Sequence, residues 1–416
     1  MIARLDEHFF RHAFGHAVAT LTRRLGPSHL PAIEDAVQHA LMAALTAWPR
    51  AGVPEQPSAW IYRAASNRLV DELRQRGRRR RLLDERADVA SLTIAAAPSA
   101  RLAGELPDDL LAMLLACCDD ALPPTSQLVL ALRLLCGFDV REIALRLFRS
   151  EADVYKRLER ARQRLRTSPT AFTDLTPTQQ VARRPAVHTI LYLLFAEGHL
   201  AAHADPAVRR ELCDEALRLT SLLAAHPLGD DAETAALLAL MHLHAARLDG
   251  RVDPSGGLLL LAEQDRARWD QAHVAAGLRW LAASARGEAY TRYHAEAAIA
   301  AAHCLAPSLP DTRWDEIVAC YQRLEQLAPS PLHTLNRAVA LAEWRGPAAG
   351  LAVLAGLEPP SWLAGSYQWS AVLADLHRRC GHADEARRHR EIALATAPSP
   401  AVRALLERRL VDGTPG

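Results

Sequence analysis

Residues 139–166 carry two helix-start signals eleven positions apart, a spacing that admits little besides two short helices joined by a tight turn. Gly137 suits the end of a preceding helix. Asp139 can then cap a new one with Glu142 at its third position, the reciprocal capping-box arrangement. Ser150 and Asp153 repeat that pattern. Ile143, Ala144 and Leu147 form an apolar stripe on the first helix, and Val154, Leu158, Ala161 and Leu165 recur at spacings of four, three and four on the second. The second helix also bears six basic residues, Lys156, Arg157, Arg160, Arg162, Arg164 and Arg166. With one face buried, Lys156, Arg157, Arg160 and Arg164 point away from the core. This is the layout of a helix-turn-helix whose second helix enters a major groove. A solvated surface helix has the same signature, so the reading depends on the rest of the chain.

At 416 residues the chain exceeds one compact core, which implies roughly two to four domains. Half of it is hydrophobic, Ala is abundant, and aromatic residues make up 5%, a balance that favours an all-α fold over a sheet. No long uncharged apolar run exists, and Arg4, Asp6, Glu7, His8, Arg11 and His12 stand near the start. The expectation is a cytoplasmic protein with no signal peptide and no membrane span. The seven cysteines form no Cys-x-x-Cys pair and read as buried thiols, so neither a metal nor a cofactor is expected.

The net charge of +1 hides an asymmetry. Residues 1–170 hold 25 Lys and Arg against 20 Asp and Glu, whereas residues 171–416 hold 24 against 28. A basic front and an acidic back place nucleic acid at the front.

Residues 1–82 read as three helices. The first runs from Met1 to Leu25 and is closed by Gly26-Pro27. The second runs from Ile33 to Trp48, ends at Pro49, and turns Val37, Leu41, Ala44, Leu45 and Trp48 inward. After a loop with Gly52, Pro54 and Pro57, Ser58 caps a third helix with Ile61, Ala65, Leu69 and Leu73 inside. Its polar side carries Arg63, Asn67, Arg68, Arg74 and Arg76, and eight Arg stand against two acids between residues 63 and 81. Such charge beside Trp60 and Tyr62 suits a single strand, where cations follow the backbone and rings stack on bases at ~1–3 kcal/mol each. Trp60 reads equally well as a core ring.

These segments together resemble a known family. Ile33-Glu34-Asp35-Ala36-Val37-Gln38, Trp48-Pro49, Pro57-Ser58-Ala59-Trp60-Ile61, Arg63-Ala64-Ala65-Ser66-Asn67-Arg68 and Asp71 resemble the second conserved region of bacterial RNA polymerase sigma factors of the extracytoplasmic-function group of the sigma-70 family. Glu142-Ile143-Ala144, Ser150, Val154, Arg157-Leu158, Arg160-Ala161-Arg162 and Leu165-Arg166 resemble their fourth region. The resemblance implies domains at 1–82 (region 2) and 108–170 (region 4), joined by a linker at 83–107.

It also implies roles. Asp35 and Gln38 would dock on the clamp helices of the largest subunit of core RNA polymerase. The loop from Gly52 to Ser58 would receive a base flipped out of the melted −10 element, with Gln56 where relatives often carry Asn. Trp60, Arg63, Asn67, Arg68, Arg74 and Arg76 would hold the single strand, and together these contacts offset an unstacking cost of a few kcal/mol. The −35 element would meet Arg149, Ser150, Lys156, Arg157, Arg160, Arg162 and Arg164. Of these, Arg149 and Arg162 fall on phosphates, and Lys156, Arg157 and Arg160 on base edges. The turn lacks the Gly that commonly precedes the Ser; Phe148 and Arg149 stand there instead. Ala-Pro-Ser composition marks residues 95–104 as flexible, as reading two elements roughly two helical turns apart requires.

Residues 171–416 show helical stripes at Ile190–Glu197, Leu212–Leu223, Ala235–Leu248, Gly257–Ala262, Val274–Ala285, Ala295–Leu305, Ile317–Leu327 and Leu335–Trp344, with two more at the end. Paired helices with Pro or Gly breaks point to an α-solenoid, and Leu373, Ala374, Gly381, Ala386, Ala393 and Pro398 fall at the spacings of a tetratricopeptide (TPR) repeat. Leu191-Tyr192-Leu193-Leu194-Phe195, Glu197-Gly198, residues 264–270 and Leu335-Asn336-Arg337-Ala338 resemble the subgroup of these sigma factors that carries a TPR-like C-terminal domain. The resemblance implies that this extension, through an intramolecular surface or a protein partner, controls activity. The Gln264 to Asp270 cluster reads as a salt-bridge network under a Trp269 lid, and His242 and His244, two apart on a helix, share no face.

The expected function is a non-enzymatic sigma factor that recruits core polymerase and reads −35 and −10 promoter DNA. The alternative is a TPR-type scaffold or signalling protein with a degenerate DNA-binding half.

Overall fold

A computed structural model describes residues 7–83, 109–147, 149–167, 175–199, 208–254 and 257–411. The expected linker falls almost entirely outside these residues, as do the side chains of residues 76–83 and with them that of Arg76. Among the described residues every regular element is helical, apart from one isolated bridge between Val252 and Leu258. The chain is therefore all-α, and it divides into two units, Met1–Leu191 and Tyr192–Gly416.

The first unit is built around α1, Glu7–Leu25, whose Phe14, Ala17, Val18 and Leu21 are buried. Gly26 ends it at φ +85°, a conformation that favours glycine, and a short 3-10 turn at Pro27–His29 leads into α2, Leu30–Ala51. The helix expected to stop at Pro49 instead runs two residues further, to Gly52 at φ +85°. A proline one turn from a helix end gives up one backbone hydrogen bond near a terminus where bonds are already being lost, so it breaks little. The inward assignment of Leu45 also fails: Leu45 is 52% exposed and its neighbour Met42 63%. α3, Pro57–Leu83, is longer than its Ser58 to Arg76 expectation.

The helix-turn-helix half of this unit comprises α4, Asp109–Cys117, α5, Pro124–Leu134, α6, Val140–Arg146, and α7, Glu151–Thr167. α4 is buried from Leu110 to Cys117 and packs on α1, which thereby serves both halves. Gly15 lets α1 also close on the end of α5, because a Cβ there would lie 2.4 Å from the carbonyl oxygen of Leu135. α8, Pro177–His199, spans the division between the units.

In the second unit α9, Arg210–Ala224, α11, Gln271–Ser284, and α12, Arg292–Leu305, pack on α10, Ala232–Ala245, which is buried on almost every face. Gly277 of α11 lets that helix close on Leu243, whose side chain a Cβ would meet at 2.6 Å. α13, Trp314–Leu327, pairs with α14, Pro331–Arg345, and α14 with α15, Pro347–Leu354. After the short α16, Ser361–Ala364, α17, Tyr367–Arg379, pairs with α18, Ala383–Ala395, and α19, Pro400–Val411, completes the described chain. Small residues at the α17 and α18 contact, Ala371, Ala374 and Ala393, are buried in one cluster. The stripe at Gly257–Ala262 is not a helix: Leu258 pairs with Val252 and a single 3-10 turn follows at Leu261–Glu263. A short apolar run such as this Leu stretch carries no period of its own and suits a helix or an extended segment equally.

Candidate nucleic-acid interface

The helix-turn-helix closes as its sequence requires. Asp139 accepts a hydrogen bond from the Glu142 amide at 2.7 Å, and the Glu142 carboxylate accepts one from the Asp139 amide at 2.7 Å. The turn forms without a left-handed glycine, through the Leu147 amide donating to Ile143 at 3.0 Å and the Arg149 amide to Ala144 at 2.9 Å. Ser150 Oγ then accepts from the Asp153 amide at 3.2 Å and starts α7. Val154, Leu158, Ala161 and Leu165 are all buried, which turns the basic residues outward or sideways.

The seven −35 candidates fall into two groups. Arg149, Ser150, Lys156 and Arg160 are exposed, with Arg149 and Arg160 near enough to Asp153 to help lower its carboxyl. Arg157, Arg162 and Arg164 are half-buried and each holds an acid. Arg157 Nε donates to Asp153 at 2.8 Å, and that bond holds the Asp153 carboxyl below the usual carboxylate range. Arg164 donates to Asp119 at 3.2 and 3.5 Å, tying α7 to the turn after α4. Arg162 donates to Glu34 of α2, a carboxylate with 7% of its side chain exposed. Burial pushes the Glu34 carboxyl up, against the opposing pull of Arg162.

On α2, Asp35 and Gln38 are exposed, and they continue as one face through His39, Met42, Leu45 and Thr46 at helical spacing. Sequence reasoning had missed the apolar half of this ridge because it assigned Leu45 to the core. Arg166 lines a small cavity of about 270 Å³ together with Asp35, Ser28 and His29. On α3, Trp60, Arg63, Asn67 and Arg74 recur at spacings of three, four and seven along one face, with Arg63, Asn67, Arg68 and Arg74 exposed, and Gln56 exposed in the preceding loop. Trp60 is half-buried, its ring edge-on to the buried Trp48 at 5.5 Å. Tyr62 is turned inward: its hydroxyl is buried, Arg24 lies over the ring at 5.6 Å, and burial raises the phenol. Both rings are half-buried, Trp60 against Trp48 and Tyr62 under Arg24.

Further ties join the two halves of the first unit. Arg11 of α1 grips Glu142 with two hydrogen bonds, at 2.8 and 3.0 Å, and stands over Phe138 at 5.6 Å. Thr20 and Arg23 both reach Asp109 at 2.8 Å.

In the second unit the Gln264 to Asp270 cluster is not a salt-bridge network. Trp269 is buried between two guanidinium groups, Arg247 at 5.2 Å and Arg266 at 4.6 Å from its ring centre. Asp265 and Asp270 instead cap the backbone amides of Ala267 and of Ala272 and His273. His242 faces His273 at 2.9 Å while His244 faces His199, ring to ring at 4.7 Å.

Residues 11–79 match the family Sigma-70 region 2, and residues 112–165 match Sigma-70, region 4. Residues 183–285 match a family of unknown function (DUF6596). An uncharacterized protein of Rhizobium meliloti (strain 1021) is 37% identical over 378 residues, covering 90% of this chain and 88% of its own length. No solved structure matches.

Proposed function

Since the chain belongs to the sigma-70 family, with regions 2 and 4 in order and a helical region after them, we propose that it is a promoter-reading sigma factor of the extracytoplasmic-function type. The observation that carries this reading is the exposed face of α2. Asp35 and Gln38 stand there beside Met42 and Leu45, a ridge half polar and half apolar that suits docking on a partner helix. That partner is the clamp helices of the largest subunit of core RNA polymerase. The exposed face of α3 with Gln56 and Trp60 then takes the melted −10 strand, and Lys156, Arg157 and Arg160 of α7 read the −35 element.

Arg162 and Arg164 are engaged inside the first unit, so their use on DNA requires that Glu34 and Asp119 be released. The second unit, with helix pairs such as α17 and α18 that suit a TPR-like repeat, supplies the control over when this happens. The protein works in the cytoplasm and catalyses no reaction itself. No helix among the described residues is long and apolar enough to cross a membrane.

Capture of purified core RNA polymerase by the full chain tests the reading, with retention reduced by Asp35→Ala and by Leu45→Asp. No capture by the unaltered chain overturns it. The role of the second unit is tested by in vitro transcription with the full chain against a truncation after Thr170; equal promoter opening by both removes that role.

A further inference from the structure

A cavity of about 660 Å³ opens within the second unit among α8, α10, α12, α13 and α14. Its size is that of a small-molecule site. Leu261, Ile299, Ala300 and Leu324 give it apolar wall, and Tyr192 and Tyr321 give it aromatic wall.

The charge in this cavity is unbalanced. Arg247, which follows α10, lines it with only 8% of the residue exposed. Its Nε is buried without a hydrogen-bond partner, and among the described residues no carboxylate lies within ion-pair distance. Its contact is with the face of Trp269. Arg251 and Arg266 stand close behind; Arg266 donates to the carbonyls of His303 and Ala306 at 2.6 and 2.9 Å, Asp311 is near it but beyond ion-pair distance, and among the described residues neither Arg forms an ion pair. The one acid in the lining, Glu296, is already held by Arg292 at 2.8 Å. His244 and His303 also line the cavity, and each has a buried Nδ1 without a partner.

Burying a guanidinium without a counter-charge is expensive, and the expense falls away when an anion supplies the missing acceptors. Guanidinium is the side chain best shaped for carboxylate and phosphate oxygens. A divalent cation is unsuited to the same place, since three guanidinium groups would repel it. The walls favour an apolar or aromatic body behind the anionic group.

We propose that this cavity binds a small organic anion, a carboxylate or phosphate on an apolar or aromatic body, with Arg247 as its principal partner. Such a ligand would be the input to the control assigned above to the second unit, but binding itself does not rest on polymerase recruitment.

The test is titration calorimetry of the full chain with phenyl phosphate, benzoate and benzyl alcohol in a phosphate-free buffer. At least one of the two anions binds at one site per chain and the neutral alcohol does not; which anion binds more tightly tells phosphate from carboxylate. Arg247→Gln weakens that binding by ~10-fold or more, the loss of one charge-assisted contact, while Arg247→Lys retains part of it. Ala328→Trp, a change at a half-buried position of the lining, blocks the cavity with Arg247 left in place and carries the test should Arg247→Gln fail to fold. Absence of binding by both anions, or binding that survives both Arg247→Gln and Ala328→Trp, overturns the proposal.

Discussion

Glu34, the residue before Asp35 on α2, is buried and accepts a hydrogen bond from Arg162 of α7. The helix that reads as the −35 reader is thus joined to the helix that reads as the polymerase-docking ridge. Removing Arg162 leaves a buried carboxylate without its partner. Arg162→Ala is expected to weaken the packing of α7 on α2 by about 2 kcal/mol, the order for a lost hydrogen bond to a charged group. Adding Glu34→Gln restores most of it, because an amide needs no counter-charge. Hydrogen exchange of α7 amides reads both; additive effects of the two changes would refute the coupling.

Glu142 serves two partners, the Asp139 amide and the Arg11 guanidinium. Glu142→Ala therefore costs more than Asp139→Ala. The latter loses a cap worth about 1 kcal/mol, and the former adds the loss of a half-buried ion pair, for about 2 kcal/mol in all. Exchange protection across α6 and α1 measures the difference, and protection of α1 falls only in Glu142→Ala.

On DNA, Arg157→Ala or Arg160→Ala is expected to erase discrimination between promoter sequences, at ~1–3 kcal/mol for each base-edge contact. Once released from Glu34, Arg162 is expected to meet a phosphate, so Arg162→Ala weakens binding on all sequences and lowers the salt slope by about 0.9, one phosphate contact. Fluorescence binding at several salt concentrations separates the two, and a sequence-dependent loss in Arg162→Ala would reverse its assignment.

Burial, aided by neighbouring Arg247, holds His244 down to about 3 and His303 down to about 4. The folded chain keeps both rings neutral in a range where the unfolded chain protonates them, so stability is full above pH ~6.5 and is lost as pH falls toward these values. Each ring contributes a slope of up to ~1.4 kcal/mol per pH unit. Thermal unfolding from pH 7 to pH 5 should show the second unit losing stability, with a shallower fall in His244→Gln.

The helix-turn-helix was legible because its signals are local. A cap and its amide lie within one turn, and an apolar stripe at spacings of three and four has one helical reading, so the Asp139 and Glu142 box and the buried faces of α6 and α7 follow from neighbours in the chain. The exposed placement of Asp35, Gln38, Arg63, Asn67 and Lys156 follows likewise from helical phase. Helix ends were less legible: Pro49 looked like a terminus, and the backbone absorbed it within the last turn.

Which helices meet was settled by tertiary structure alone. Helical phase sets Arg162 apart from Arg160 but does not name its partner: Arg162 holds Glu34, 128 residues away, while Arg160 is exposed. The same holds for Leu45, apolar but left on the surface, and for Trp269, whose partners are two cations rather than a lid over salt bridges. Periodicity determines that a face is buried; the partner a charge receives depends on long-range packing, where Gly15 against Leu135 lets α1 bring region 2 and region 4 into one unit.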